Sequence, residues 1–312
     1  FLDLTWATAA CAPLQIAARQ PLLARRCMDY SSSDDDAMAL YAMENSGRPT
    51  SGRLGGLQTY IHTPKSDAHP EVALVVVHQC TAMGGCALAA EDIASACCHR
   101  GGFLTVGFDM RGAGRSKGCC TLGPFPCLSG CAEVSDVVAV AQWVRDELQR
   151  DVWLVGVSAG GPVAGSALGK LPCIRGYIGI AYTFGIGASL LFFPHHRVLL
   201  SPKPKLFIQG TKDIFTSVAT FKIATGLARA PCTSHVVGGT GHFDLEYSPY
   251  SALHAELIAA FVDTGGLGER ARDGARGLAA YLPSLCTGGP CCCITLLVLA
   301  GWLLSCTGRQ CW

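Results

Sequence analysis

Uninterrupted apolar runs punctuate the middle of the chain: VALVVV over Val72–Val77, FLTVGFD over 103–109 and VWLVGV over 152–157. Short runs bounded by turn residues are expected of strands buried on both faces, the situation inside a parallel sheet. LQTYIH over Leu57–His62 alternates instead and stops before Pro64, which predicts an edge strand. The stretch 174–181, KLFIQG over Lys205–Gly210 and a short segment at 234–237 read as further strands. Between these runs the period changes. Residues 87–98 are helical in pattern, and from 132 to 149 Val134, Val137, Val138, Ala141, Val144 and Leu148 recur at helical spacing, with Asp136, Arg145 and Glu147 on the other side. A closing helix over 252–263 stops at Gly265-Gly266. Strands alternating with helices predict an α/β fold, a mostly parallel central sheet with helices on both faces.

This pattern divides the chain into three parts. Residues 55–264 form the expected folded domain, 1–54 an N-terminal extension that is partly disordered, and 265–312 a Cys-rich C-terminal extension with a short apolar helix. Residues 1–28 are Ala-rich, with Arg19, Arg25 and Arg26 against the single acid Asp3, a composition compatible with a targeting remnant. The run of three serines and three aspartates at 31–36 reads as a solvated linker. Near the end, ITLLVLAGWLL over 294–304 is flanked by cysteines; it is short for a bilayer span but suited to membrane contact through 291–306.

Composition narrows the function classes. Half of the 312 residues are hydrophobic and 15% are charged, enough for a sizeable core and too apolar for wholesale disorder. A net charge of +1, with no basic patch studded by aromatics, gives no reason to expect a nucleic-acid partner. Seven of the 18 cysteines fall in two adjacent pairs and one triplet, and the set suggests no secreted disulfide framework, so an intracellular compartment is expected. Cys119, Cys120, Cys127 and Cys131 share a loop but lack C-x-x-C spacing, and are read as compositional bias rather than a zinc site. No metal and no cofactor are expected.

The chemistry is carried by polar residues at the carboxyl ends of the predicted strands, where ligands sit in such sheets. The strand at 152–157 runs into Gly156-Val157-Ser158-Ala159-Gly160, a G-x-S-x-G pattern between a buried strand and a helix start. Thr211-Lys212-Asp213 follows the strand at Lys205–Gly210, and Thr240-Gly241-His242 follows the one at 234–237. Serine, acid and histidine thus appear once each, on loops after three different strands. A serine hydroxyl needs an adjacent base, and a histidine base needs a carboxylate to fix its tautomer. The competing residues have plainer readings. Asp213 alone would pass for a surface turn residue; His235 and His254 lie inside elements and read as structural. Asp109 is the fallback carboxylate, read as a hydrogen-bonding group in its own turn; His78 braces its loop; His195-His196 belong to the surface or a pocket rim.

These residues resemble the α/β-hydrolase superfamily over residues 55 to 264. The resemblance implies Ser158 as nucleophile, Asp213 as acid and His242 as base. His78-Gln79-Cys80 is similar to the family's histidine-led loop after the third strand, and Asp109-Met110-Arg111-Gly112 to its aspartate-arginine-glycine turn. The family's oxyanion donors then map to the backbone N–H groups of Ala159 and Cys80. Gln79 departs from the glycine or proline of many members, and Gly84-Gly85 is similar to a compact, esterase-like subgroup. The implied function is a serine hydrolase acting on a small-molecule acyl substrate, a carboxylic ester or related acyl bond. A serine peptidase of the same fold and a non-catalytic binding protein are the alternatives. The stretch between Ala181 and Lys205 is long enough for one helix and its turns but not for a lid domain, so a shallow cleft rimmed by residues 190–193 and the Met83 loop is expected.

Overall fold

VALVVV and DVWLVGV lie side by side near the middle of an eight-stranded sheet in the computed structural model of the chain, which describes residues 49–79, 81, 84–117, 131–184, 195–246 and 249–266. In chain order the strands are β1 (Thr50–Leu54), β2 (Leu57–His62), β3 (Val72–Val77), β4 (Leu104–Phe108), β5 (Asp151–Val157), β6 (Ile174–Ile180), β7 (Lys205–Gly210) and β8 (Cys232–Val237). The described helices are α1 (Glu91–His99, entered through a 3-10 turn at Ala87–Ala90), α2 (Cys131–Glu147), α3 (Gly160–Ala167), α4 (His196–Leu199), α5 (Val218–Gly226) and α6 (Ser251–Asp263). A second 3-10 turn spans Phe243–Glu246.

The spatial order is β1-β2-β4-β3-β5-β6-β7-β8. β2 pairs antiparallel with β1 and with β4; every other pairing is parallel. The pleat sends alternate side chains to opposite faces. Val75, Val77, Leu154 and Phe207 meet Val137, Val144, Val163 and Phe221 from α2, α3 and α5. Leu74, Val76, Val155 and Ile208 meet Ile93, Cys97, Ala255 and Ile258 from α1 and α6. The near-continuous apolar strands are therefore the signature of a sheet covered twice, each buried Val, Ile or Leu contributing about 1.5–3 kcal/mol.

The chain returns to pair β5 with β3 on the side away from β4, so the connections from β3 and β5 leave toward opposite faces. That reversal opens a crevice at the carboxyl ends of β3 and β5, where Val77 lies beside Gly156 in the register. Ser158 follows directly.

Three expectations are revised. The sheet starts at Thr50, within the stretch assigned to the N-terminal extension: β1 (TSGRL) has one apolar residue and a half-exposed pattern, so no hydrophobic signal marks it. β1 takes the sheet edge, through a hairpin whose Gly55 and Gly56 adopt φ of 56° and 95°. β2 is consequently interior and buried at all six positions, not an edge strand. α5 was not foreseen either, since Phe221 is its only buried residue and no apolar stripe repeats along it; the Ser217 hydroxyl caps it by accepting from Thr220 N–H at 3.1 Å.

Candidate active site

The site begins with a strained turn. Ser158 has φ of 53°, a left-handed conformation uncommon for a residue with a Cβ, and its own N–H donates to the Ile180 carbonyl at 2.9 Å. The turn is possible because its neighbours are glycines. A Cβ on Gly156 would stand 2.6 Å from Gly161 Cα, and one on Gly160 would run into the carbonyl oxygens of Val77 and His78. Backbone meets backbone here, so α3 starts hard against β5 and β3 and leaves the Ser158 hydroxyl at its N-terminal end.

Asp213 and His242 come from the loops after β7 and β8, strands paired along their whole length. Ser158 Oγ lies 2.7 Å from His242 Nε2, and His242 Nδ1 lies 2.6 Å from Asp213 Oδ2. The other Asp213 oxygen accepts from the N–H groups of Phe215 and Thr216, each at 2.8 Å, which fixes the carboxylate plane. The side chains of Asp213 and His242 are buried. In the neutral ring Nδ1–H donates to Asp213, leaving the Nε2 lone pair for the serine hydroxyl. Phe215 stands edge-on to the ring, with centroids 4.5 Å apart, and closes its outer side. The arrangement can take a proton from Ser158 and hold it between two fixed partners.

The family model for X-Pro dipeptidyl-peptidases of the S15 family matches residues 32–177, a stretch that includes Ser158 and ends before Asp213 and His242. Among solved structures the chain is similar to an α/β serine hydrolase homologue from Coxiella burnetii (23% identity, TM-score 0.55, covering 72% of this chain and 99% of that one). It is similar also to an α/β serine hydrolase described as lacking a lid from Xanthomonas campestris (22%, 0.54, 73% and 95%). A third is an esterase from Pyrococcus furiosus (13%, 0.56, 74% and 99%). These likenesses show an α/β-hydrolase fold. No curated protein sequence matches the chain.

Ala159 caps α3, and its N–H carries no hydrogen bond among the described residues. Cys80, the other expected oxyanion donor, lies outside the described residues, as do Met83 and residues 190–193. His78 ties two loops together: Nδ1 bonds the Gln79 carbonyl at 2.8 Å and Nε2 accepts from Met110 N–H at 3.1 Å. Burial lowers its pKa against the opposing charge of Asp109, and the neutral ring suits this bracing. Asp109 is spent on its own turn and on the elements packed against it. It accepts from the N–H groups of Ala87 and Arg115 at 2.8 and 2.9 Å and from the Tyr60 hydroxyl at 3.2 Å.

His195 departs from the expectation of a surface or rim residue. It is buried, with Nδ1 2.9 Å from the Tyr182 hydroxyl, in an aromatic cluster with Tyr182 and Phe184. The apolar surroundings of β6 and β7 draw it in. Of the cysteines considered for zinc, Cys119, Cys120 and Cys127 lie outside the described residues and Cys131 opens α2. Among the described residues no cluster of three or more His, Cys, Asp or Glu is arranged to hold a metal ion.

One residue escaped the sequence reading. Glu246 closes the 3-10 turn after His242, is buried, and brings Oε1 to 3.2 Å from His242 Nε2. The signal was available as an acid four residues past the histidine, but only a helical turn makes those positions neighbours.

Proposed function

We propose that the protein is a serine hydrolase that cleaves a carboxylic ester or related acyl bond through Ser158, His242 and Asp213. The observation that carries this reading is the unbroken line of contacts from Ser158 Oγ to His242 Nε2, at 2.7 Å, and from His242 Nδ1 to Asp213 Oδ2, at 2.6 Å. In this reading Ser158 Oγ attacks the acyl carbon while its proton passes to Nε2. Asp213 steadies the imidazolium, which gives the proton to the leaving group as the bond to it breaks. Water then attacks the acyl-enzyme by the same route. The Ala159 N–H, without a partner among the described residues and aided by the start of α3, is the first oxyanion donor; Cys80 N–H is the second in the superfamily's pattern. No cofactor takes part in these steps.

The similar solved structures include an esterase and serine hydrolases, which supports the ester reading. The S15 family match supports a second one, a peptidase using the same residues on an amide bond. The test is direct. A fluorophosphonate probe is expected to label the protein on Ser158, with labelling abolished in Ser158→Ala, and His242→Ala is expected to reduce turnover by at least about a thousandfold. Labelling that survives Ser158→Ala overturns the assignment. Specificity constants for acyl esters against aminoacyl and Xaa-Pro amides separate esterase from peptidase.

A further inference from the structure

His242 is approached by two carboxylates, not one. Asp213 occupies Nδ1, and Glu246, from the turn that follows the histidine itself, reaches Nε2 at 3.2 Å. Nothing in the reaction above uses Glu246. Its burial is nearly complete, and Oε1 accepts no well-directed hydrogen bond among the described residues. The 3.2 Å approach is therefore one of charge. A buried carboxylate oxygen without a donor costs about 1–3 kcal/mol or more, unless a neighbouring group supplies a proton in some state of the protein. The neighbour able to do so is His242: once protonated at Nε2, the ring has an N–H for which Ser158 Oγ and Glu246 Oε1 compete.

Resting on the reading of Ser158 and His242 as the reacting pair, we propose that Glu246 is a positioning residue, a second carboxylate that holds the protonated His242 ring from its Nε2 side, opposite Asp213. Its effect runs both ways. In the free enzyme it favours the charged ring, which has no lone pair for the serine proton and is idle. After Ser158 attacks, the same contact steadies the imidazolium until Nε2–H passes to the leaving group. Glu246 thus raises the pH at which the enzyme becomes active and supports the step that follows.

The surroundings of the ring agree. The elements packed against it bring the Asp213 carboxylate, the Ser158 hydroxyl and the rings of Phe215 and Phe243. From its own segment come Glu246 and Asp244, whose carboxylate is turned away to accept from Gly241 N–H at 2.7 Å. Burial disfavours the charged ring, but the hydrogen bond and charge of Asp213, with the charge of Glu246, outweigh it and push the pKa up to about 9.

The experiment follows the His242 ring by nitrogen-15 NMR against pH in the full chain and in Glu246→Gln, which keeps the shape and removes the charge. Alongside it, kcat/KM for nitrophenyl acetate is measured from pH 5 to 10. The ring pKa is expected to fall by about one unit or more in Glu246→Gln. The acid limb of kcat/KM should move down with it, so that activity at pH 7, relative to the plateau, rises about tenfold. Glu246→Asp withdraws the charge by one methylene and should shift both readings the same way but less; it serves as the test if circular dichroism finds Glu246→Gln unfolded. A ring titration unmoved in the folded variant overturns the proposal, and so does a lower plateau with no movement of the limb, the mark of a merely structural residue. The NMR reading needs no turnover. Failure of Ser158 labelling would count against the proposed function, whereas an unmoved titration counts against Glu246.

Discussion

Three of the buried histidines have different neighbours, and each states its purpose through them. His242 has a carboxylate at each nitrogen, His78 a carbonyl and an amide N–H, and His254 on α6 has no hydrogen-bond partner at either nitrogen among the described residues. Burial, with some repulsion from His235, pushes His254 down to about 4. The sign of its effect on stability follows. Between about pH 6.5, where an unfolded histidine titrates, and pH 4, the unfolded chain binds a proton that the folded chain refuses, so His254 destabilises the fold progressively as pH falls through that window. His242 acts oppositely: it stabilises below about pH 6.5 and loses that contribution as pH rises through about 9. His254→Leu keeps an apolar body of similar size and removes two unsatisfied nitrogens. It is expected to leave stability at pH 8 unchanged or raised by about 1 kcal/mol, and to flatten the fall between pH 6.5 and 4. Thermal melts across pH check it; a slope as steep as in the parent chain would place the acid sensitivity elsewhere.

At the scale of elements, the turn that carries Ser158 is built by exclusion of side chains, and this gives a sharp expectation. Gly156→Ala puts a methyl against the backbone of Gly160 and Gly161, which no rotamer change relieves. The start of α3 must move off β5, at a cost of about 1–3 kcal/mol. Ser158 moves with it, and a displacement near 1 Å is worth about a hundredfold in rate. Gly156→Ala is therefore expected to lower Tm modestly and fluorophosphonate labelling about a hundredfold, while Gly238→Ala, where the methyl meets open space, should change neither. A Gly156→Ala protein labelled at the parental rate would mean the turn tolerates more than its contacts imply. The same contrast explains what was legible in the sequence. Elements buried on a whole face wrote themselves into hydrophobic period, so β3, β5, β7 and α2 were found close to their observed limits. β1 and α5 escaped because each meets the core through few residues, and β2 was misassigned to the edge because the strand covering it is polar. Ser158, Asp213 and His242 were readable since each follows a strand, a relation in one dimension. Glu246 and the burial of His195 were not, because both depend on which loops fold back upon one another.

For the whole molecule, the strand order gathers the site: residues separated by 84 and 29 positions meet because β5, β7 and β8 end on the same side of one sheet. No helix among the described residues is long and apolar enough to cross a membrane. What surrounds the gathered residues sets the substrate. Between Ile180 and Lys205, where a lid would be inserted, the described residues hold one four-residue helix, α4. Beside His242, Ile214 and Phe215 are 70% and 40% exposed, an apolar lip next to Asp213. Among the described residues, a lip of this size can cover a few carbons of an acyl chain but not the remainder. Each further methylene then gains little of the roughly 0.8 kcal/mol that full burial would bring. For nitrophenyl esters, kcat/KM is accordingly expected to peak at short acyl chains and level off or fall toward palmitate. Phe215→Ala should lower the peak by removing both the lip and the ring that closes off His242, with a smaller effect on acetate than on butyrate. A steep rise from acetate to palmitate would mean that a deep apolar pocket, built by other segments of the chain, receives the acyl group.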